Sequence, residues 1–591
     1  MRRRLVEIPS DSDALFLVAL AVQARGEPAH GGYERVLAVA AAHTGAAINA
    51  AVVLAECGQV SRAARLLRRA MAIDPALPPA HGNLGLCLLR AEDFAGAIAA
   101  LRRTLGLAGI DLLTLLNLGV ALERAGRKSE AQAHYRLTVV IAPDFGRAIY
   151  NEALLAQARG DMASAIGSFK RTLAIAPEDA RVHSNLLFAL AYRADRGNRM
   201  RAAEAIGWGR RHRPVMPPSP PVTARDPDRR LRLGYLSADL RASPVARNIE
   251  GLIGHHDRSA VEVAMYSVTP TADAVTARLR GHADLWRDLA LADDGSVAET
   301  IRKDRVDILV VLGGHTGDNR PRIATFRPAP IMVSAHDLGT SGMAEIGYWL
   351  TDAVLHPPDS GEPFVERLVR LPCFYLQTPP AEAPPVEPRP ADRRTIGFVS
   401  ANNPAKLSPA TIALWSRVLA AVPDSTLALK FADAFEDPAT QRRHVSEFAR
   451  HGISPERLSL VSGSRDSRDH LAAIGMADIA LDPFPFNGST TSFEALWMGL
   501  PVVTLAGSCF VGRVGASLLT AIGLPELIAR DEDAYIGIAR ALATDSGRLA
   551  ALRAGLRARV SASPLCQPAP YARSVEAALR EMWRRWCAGE G

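Results

Sequence analysis

Asparagine recurs at Asn49, Asn83, Asn117, Asn151 and Asn185, each 34 residues after the last. Ala63, Ala97, Ala131 and Ala165 keep the same step, as do Pro143 and Pro177, with Pro75 in phase two repeats before Pro143. Gly58, Gly126 and Gly160 hold a turn position that Glu92 takes in one copy. A period of this length fits two helices and their turns. Alanine at a fixed point lets the helices approach closely, and proline closes the second helix of each pair. One such unit cannot bury its own apolar face, so successive units must stack into a curved array. The expectation is an array with a helical transition over residues 1–212, with 14–46 as a degenerate capping unit. Its concave groove would recruit an extended protein segment or pack on the next domain.

After the array the pattern changes. Arg213–Arg229 contains six prolines among basic and polar residues, which reads as a linker over 213–230. From Leu231 short apolar strands alternate with helices. Strands are expected at Leu231–Leu236, Val261–Val268, Val306–Leu312, Pro330–Ser334 and Leu368–Phe374, with helices at Ala246–Ile253, Val275–Gly281 and Ser296–Asp304. A stretch rich in Pro, Glu and Arg, Thr378–Arg393, divides a lobe over 231–380 from a second run over 395–591, with a linker at 381–394. In the second run strands are expected at Thr395–Val399, Ser425–Phe431, Leu458–Val461, Ile479–Leu481 and Pro501–Leu505, and Pro570–Cys587 closes the chain as an amphipathic helix. Strand–helix alternation implies parallel, doubly wound sheets, and ligands bind such sheets outside the carboxyl ends of their strands. The fold class is therefore α plus α/β: a repeat superhelix followed by two doubly wound lobes with a cleft between them, as in the GT-B architecture of nucleotide-sugar transferases.

The richest stretch is Leu481–Leu519. A short buried strand ends at Asp482, and Pro483, Pro485, Asn487 and Gly488 break the backbone. Ser489, Thr490 and Thr491 then offer cap hydroxyls to a helix that bears Phe493, Leu496 and Trp497 and stops at Gly499. A loop feeding a helix start aims unpaired N–H groups and the positive dipole end at one spot, which suits a phosphate or diphosphate. Glu494, one turn in, is placed to accept hydrogen bonds from a ribose. No Gly-Lys-Ser/Thr follows, so nothing here supports ATP hydrolysis.

A net charge of +7 over 591 residues is too dilute for a nucleic-acid footprint, and the Arg clusters at 210–213 and 584–585 read as solvated faces. Six cysteines without a C-x-x-C pair argue against disulfides or zinc and fit a reducing cytoplasm. Glu7, Asp11 and Asp13 lie between Met1-Arg-Arg-Arg and the apolar run Ala14–Val22, and the run is short, so neither a signal peptide nor a membrane span is expected. Asp-x-Asp occurs at Asp11–Asp13, Asp226–Asp228 and Asp531–Asp533, never following an expected strand into the cleft, so no metal or other cofactor is expected.

The repeat signature resembles the tetratricopeptide repeat. The remainder resembles the bacterial relatives of the protein O-linked N-acetylglucosamine transferase and SPINDLY group, glycosyltransferase family 41. The resemblance is carried by Leu233-Gly-Tyr-Leu-Ser-Ala-Asp239, Gly314-His-Thr316, Arg327-Pro-Ala-Pro-Ile331, Gly339-Thr-Ser-Gly342, Asn402-Asn-Pro-Ala-Lys406 and Leu481–Leu519. It implies an inverting transferase with a nucleotide-sugar co-substrate held mainly by the second lobe. Lys406 matches the lysine that neutralises the leaving diphosphate. Thr490 and Thr491 match the pair at the phosphates, and Glu494 an acidic ribose contact. His470 matches a histidine near the base and Asn403 a polar residue before the lysine; Asn487, Gly488, Ser489 and Arg513 complete the expected donor-binding set.

The first lobe departs from the pattern. Ser243 stands where the family carries a histidine near the reaction centre, and an unperturbed hydroxyl is no general base near neutral pH. Ala335-His-Asp-Leu338 replaces the usual Trp-Leu-Gly-Tyr-Pro, and Ser489 replaces the histidine of the animal enzymes. His336 and Asp337 are therefore candidates for a replacement acid/base pair, with Ser243, His315 and Thr340 on the acceptor side. The expected function is transfer of N-acetylglucosamine from its UDP conjugate to Ser or Thr of protein acceptors recruited by the repeats. The alternatives are a GDP-fucose donor, or a repeat scaffold whose transferase module turns over poorly.

Overall fold

The computed structural model describes residues 11–27, 29–193, 197–216, 218–389, 395–463 and 466–590. The arginines at 2–4, Pro217 of the first linker and residues 390–394 of the second lie outside the described residues. The chain divides into two compact units, Met1–Leu155 and Ala156–Gly591.

The first unit is a run of antiparallel helix pairs: α1 (Ser12–Ala24), α2 (His30–Val39), α3 (Thr44–Glu56), α4 (Val60–Ile73), α5 (Pro78–Arg90), α6 (Phe94–Ala108), α7 (Leu112–Arg124) and α8 (Lys128–Ile141), with α9 (Gly146–Ala158) crossing the division. The periodic alanines Ala63, Ala97 and Ala131 are fully buried. On α7, a Cβ added at Gly119 would sit 2.5 Å from the buried Tyr135 ring of α8. The helices therefore touch at a distance that only small residues allow. Gly58 and Gly126 turn at φ +77, and Glu92 adopts φ +60 at the matching place. A side chain in this left-handed region costs roughly 1 kcal/mol that glycine avoids.

The second unit begins with α10 (Met162–Ile175), α11 (Ala180–Leu190) and α12 (Gly197–His212). The first lobe follows: β1 (Leu231–Ser237), α13 (Pro244–Gly254), β2 (Val261–Ser267), α14 (Ala274–His282), β3 (Leu285–Asp288), α15 (Asp294–Lys303), β4 (Ile308–Leu312), β5 (Ile331–Ala335), β6 (Tyr348–Asp352) and β7 (Arg367–Leu371). The second lobe holds β8 (Gly397–Ser400), α16 (Pro409–Ala421), β9 (Thr426–Lys430), α17 (Pro438–Arg450), β10 (Leu458–Val461), α18 (Ser467–Gly475), β11 (Ile479–Leu481), α19 (Thr490–Trp497), β12 (Val502–Leu505), α20 (Val514–Ala521), β13 (Ile528–Ala529), α21 (Glu532–Thr544), α22 (Ser546–Ala562) and α23 (Pro568–Cys587). The sheets run β3-β2-β1-β4-β5-β6-β7 and β10-β9-β8-β11-β12-β13, and every strand pairing is parallel. Both central strands of each sheet are buried on two faces, which explains their near-continuous apolar runs.

Three strands were not expected from the sequence. β3 is half-exposed and ends in Arg287 and Asp288, β6 is aromatic and ends in Thr351 and Asp352, and β13 is two residues long. None presents a β-branched apolar run. Two boundaries also differ. The repeat-like helices α10 to α12 belong to the unit that holds the lobes, not to a separate array ending at 212. The cause is close packing: Arg159 pairs with Asp437 at 2.8 Å, both side chains buried, and Trp208 lies 4.7 Å from the His315 ring. A Cβ at Gly209 would meet the Gly342 carbonyl at 2.1 Å. The closing helix α23 straps the first lobe although it follows the second. Tyr571 donates to the Phe374 carbonyl at 2.8 Å, and Glu576 pairs with His256 at 2.8 Å.

Replacing Glu92 by glycine should relieve the turn strain. Glu92→Gly is expected to stabilise the first unit by about 0.5–1 kcal/mol, read as a raised denaturation midpoint, and a lowered midpoint would contradict this account of the turn.

Candidate functional site

In each sheet the strand order reverses beside the first strand, between β1 and β4 and between β8 and β11. Loops that leave the carboxyl ends of these neighbours part from one another and open a crevice. In the second lobe these loops are Ala401–Lys406 after β8 and Asp482–Ser489 after β11. In the first lobe they are Ala238–Ser243 after β1 and Gly313–Asn319 after β4.

The Asp482 loop is pinned from inside. The Asp482 carboxylate accepts the Gly488 N–H at 2.7 Å and the Ser492 hydroxyl at 3.0 Å on one oxygen, and the Thr504 hydroxyl at 2.7 Å on the other. Burial pushes this carboxyl up to about 6, against those hydrogen bonds and the nearby Lys406 charge. Asn487 is fully buried; its side-chain amide donates to the Pro483 carbonyl at 2.9 Å and its amide oxygen accepts from Gly515 at 3.3 Å. It therefore shapes the loop, and its side chain is not free to touch a donor as the sequence suggested. Its backbone carbonyl instead receives the Lys406 ammonium at 2.6 Å.

Lys406 arrives on the other switch-point loop, where the Asn403 side chain caps a short turn by accepting the Ala405 N–H at 2.9 Å. The ammonium also sits 4.4 Å above the Phe486 ring, and Phe486 in turn packs on Tyr192 with centroids 4.8 Å apart. Burial pushes Lys406 down to about 8, with Asp482 opposing that shift.

At the head of α19 the sequence suggested a hydroxyl cap, and the structure differs. Ser489 occupies the cap position, yet no side chain caps this helix. Thr491 donates to Asn402 Oδ1 at 2.9 Å, and the buried Thr490 hydroxyl has no hydrogen-bond partner. Gly488 is required here, because a Cβ would come within 2.7 Å of the Thr491 hydroxyl and 3.0 Å of Asn402. An uncapped helix start with an unsatisfied hydroxyl and a lysine beside it is a site built for an anion.

Further along α19, Glu494 is nearly buried and both its oxygens are taken. His470 meets one at 3.2 Å, and Arg247, from α13 of the first lobe, meets the other at 2.6 Å. Burial pushes Glu494 up, but His470 and Arg247 outweigh it and hold the carboxyl below its usual range. Lys430, at the end of β9, is buried with its ammonium unpartnered. Sequence reading passed over Arg247, Asn402 and Lys430. A lysine closing a buried strand and an asparagine opening the Asn402–Lys406 motif were usable signals; nothing in the sequence marked Arg247.

Beside α19 opens a cleft of about 730 Å³ lined by Ser243, Arg247, Arg278, Thr378 and Thr490 among others. Ser243 caps α13, accepting the Ala246 N–H at 3.0 Å and donating to the Asp239 carbonyl at 2.8 Å; it lines the cleft while its hydroxyl is spent on structure. Three expectations are corrected. Arg513 donates to the Gly507 carbonyl at 3.0 Å and the Leu355 carbonyl at 3.2 Å, so it ties the lobes rather than meeting a phosphate. His315 is buried against Trp208 with its ring nitrogens on Ser184 and the Ser341 carbonyl, and burial pushes it down to about 3. Thr340 donates to the buried Glu366 at 2.7 Å. Neither faces the cleft lining.

His336 and Asp337 do not form a pair with each other. The His336 ring packs on Phe374 at 4.7 Å and meets Asn248 at 3.5 Å, while Asp337 accepts the Leu338 N–H at 2.7 Å. The two side chains take different neighbours, so residues adjacent in sequence separate here. Burial pushes His336 down to about 4 and Asp337 up to about 7. His336 also holds φ +58 at the carboxyl end of β5, a strained backbone of the kind that collects at functional sites.

A family model, described as glycosyl transferase family 41, matches residues 216–378 and 390–575. The chain is 41% identical over 394 residues to a tomato (Solanum lycopersicum) protein named probable UDP-N-acetylglucosamine–peptide N-acetylglucosaminyltransferase SPINDLY, covering 65% of this chain and 42% of the relative. It is 39% identical over 373 residues to the Arabidopsis thaliana protein of the same name, covering 62% of this chain and 41% of that one. The chain thus spans about two fifths of the length of these curated relatives. Among solved structures, a mutant of the Thermobaculum terrenum O-GlcNAc transferase superposes with a TM-score of 0.73 at 35% identity, covering 93% of this chain and 99% of that one. With the match running through both lobes and both switch-point crevices, this chain belongs to glycosyl transferase family 41.

Proposed function

We propose that the protein transfers N-acetylglucosamine from UDP-N-acetylglucosamine to serine or threonine hydroxyls of proteins. The observation that carries this reading is the Lys406 ammonium, held by the Asn487 carbonyl beside the uncapped start of α19. In sugar transfer the bond from the anomeric carbon to the diphosphate oxygen breaks while the acceptor oxygen attacks, and negative charge grows on the departing diphosphate. A fixed cation and oriented amides meet that charge without reorganising. Thr490, Thr491 and Glu494 would hold the phosphates and ribose, with His470 toward the base. Names of the relatives support the same donor and protein acceptors.

His336 is the residue we assign to the acceptor proton. It is neutral near pH 7 and strained at a strand end. Asp337 is left out, because it takes separate partners. The repeats would recruit the acceptor: Asn83 and Asn117 are half-exposed on the first helices of successive pairs, where an amide can hydrogen-bond an extended backbone. All six cysteines are free, and among the described residues no helix is long and apolar enough to cross a membrane. Both observations support a cytoplasmic role.

The direct test is transfer of label from UDP-N-acetylglucosamine into proteins of a host lysate. Wild-type protein should label and Lys406→Met should not, while the same variant melts a few degrees higher because a desolvated charge has been removed. Labelling from GDP-fucose instead would move the donor assignment, and no labelling from either would leave the repeat-scaffold reading.

The pH dependence has a definite sign. Lys406 is depressed to about 8 in the folded protein, so its positive charge is present below pH 8 and lost above it. UDP affinity should therefore fall by up to about tenfold per unit above pH 8, and Lys406→Met should show no such limb. For His336→Ala we expect kcat to fall about 100-fold with UDP affinity unchanged; an unchanged kcat would remove His336 from the mechanism.

A further inference from the structure

Arg247 belongs to the first lobe and Glu494 to the second, and their 2.6 Å contact crosses the cleft. The backbone carbonyl of Arg247 also accepts the Thr378 hydroxyl at 3.0 Å from the segment that joins the lobes, so its helix is anchored on the hinge side. The guanidinium itself is only partly covered, with 27% of the side chain exposed, and it lines the 730 Å³ cleft together with Thr490. The Thr490 hydroxyl, buried and without a partner, lies one helical turn before Glu494, so the two stand on one face of α19. Arg278, the other arginine of the cleft lining, is already bound by Glu250 through both carboxylate oxygens at 2.5 and 3.1 Å.

This arrangement poses a conflict for the donor site proposed above. A ribose that donates to Glu494 finds one oxygen held by His470 and the other by Arg247. Displacing Arg247 leaves a guanidinium in a partly desolvated cleft, which is unfavourable unless another anion takes it. A diphosphate at the start of α19 is such an anion, one turn away, and the planar guanidinium fork matches phosphate oxygens.

We propose that Arg247 is a latch that exchanges partners when the donor binds: it releases Glu494 to the ribose and moves to the diphosphate, keeping the lobes tied throughout. The inference rests on the donor-site reading. It follows that a nucleoside alone must break the latch without compensation, whereas a nucleoside diphosphate supplies the new partner.

The test is calorimetric titration of the full chain with UDP, GDP, uridine, guanosine and inorganic pyrophosphate. For the diphosphate that wild type prefers, Arg247→Ala should weaken binding about tenfold or more, while the matching nucleoside binds as tightly as before or tighter. Glu494→Gln, which frees the guanidinium, should tighten pyrophosphate, and that gain should vanish in the Arg247→Ala, Glu494→Gln double variant. Melting curves and Arg247→Lys, which keeps the charge but not the fork, separate folding loss from lost contact. Equal weakening of nucleotide and nucleoside, or no change in either, would overturn the exchange and leave a fixed strut. Wild-type protein that binds neither UDP nor GDP would overturn the donor-site reading first, and this inference with it.

Discussion

The site depends on one buried carboxylate. Asp482 ends β11 at the place where the second sheet reverses its strand order, and it gathers Gly488, Ser492 and Thr504 around itself. Those bonds fix the loop, the loop fixes the Asn487 carbonyl, and that carbonyl positions the Lys406 ammonium. A carboxylate in such a place is costly to bury and is tolerated only because each oxygen is satisfied. Its effect is to fix a connecting loop, a type of segment that is ordinarily more mobile than the elements it joins.

The cationic end of the site is supported from outside the lobes. Lys406 rests on Phe486, and Phe486 rests on Tyr192, which follows α11. Helices of repeat type thus form one wall of the unit that carries the lysine, and the buried Arg159–Asp437 pair holds them there. Removing either partner would leave an uncompensated buried charge, so these helices are better regarded as part of the body that holds the lobes than as a detachable arm.

Much of the lobe architecture was legible because buried parallel strands are written as apolar runs of three to seven residues, and the 34-residue period is visible without any packing information. Thr490 stood out in the sequence as part of a loop feeding a helix start, and Asn403 and Lys406 through the family resemblance; the structure sets the Lys406 ammonium on the Asn487 carbonyl and the Asn403 side chain on the Ala405 N–H. What misled was chemistry type taken for chemistry placed. Asn487, Arg513, His315 and Thr340 have side chains able to bind a ligand, yet each is consumed by a carbonyl, an amide or a carboxylate nearby. Hydrogen-bond satisfaction is decided by neighbours distant in sequence, and no local pattern reports it.

The sequence by itself determined the helical repeat, the two parallel sheets and the order of loops that meet at each switch point, because these follow from period, β-branching and backbone-breaking residues. The tertiary structure alone decided that α10 to α12 join the lobes, that α23 crosses back to the first lobe, and that His336 and Asp337 part company. It also brought Arg247 to Glu494, residues 247 positions apart. Local pattern fixes which elements form; only the packing of those elements fixes which charges meet across a cleft, since that contact depends on how the two sheets are held against each other.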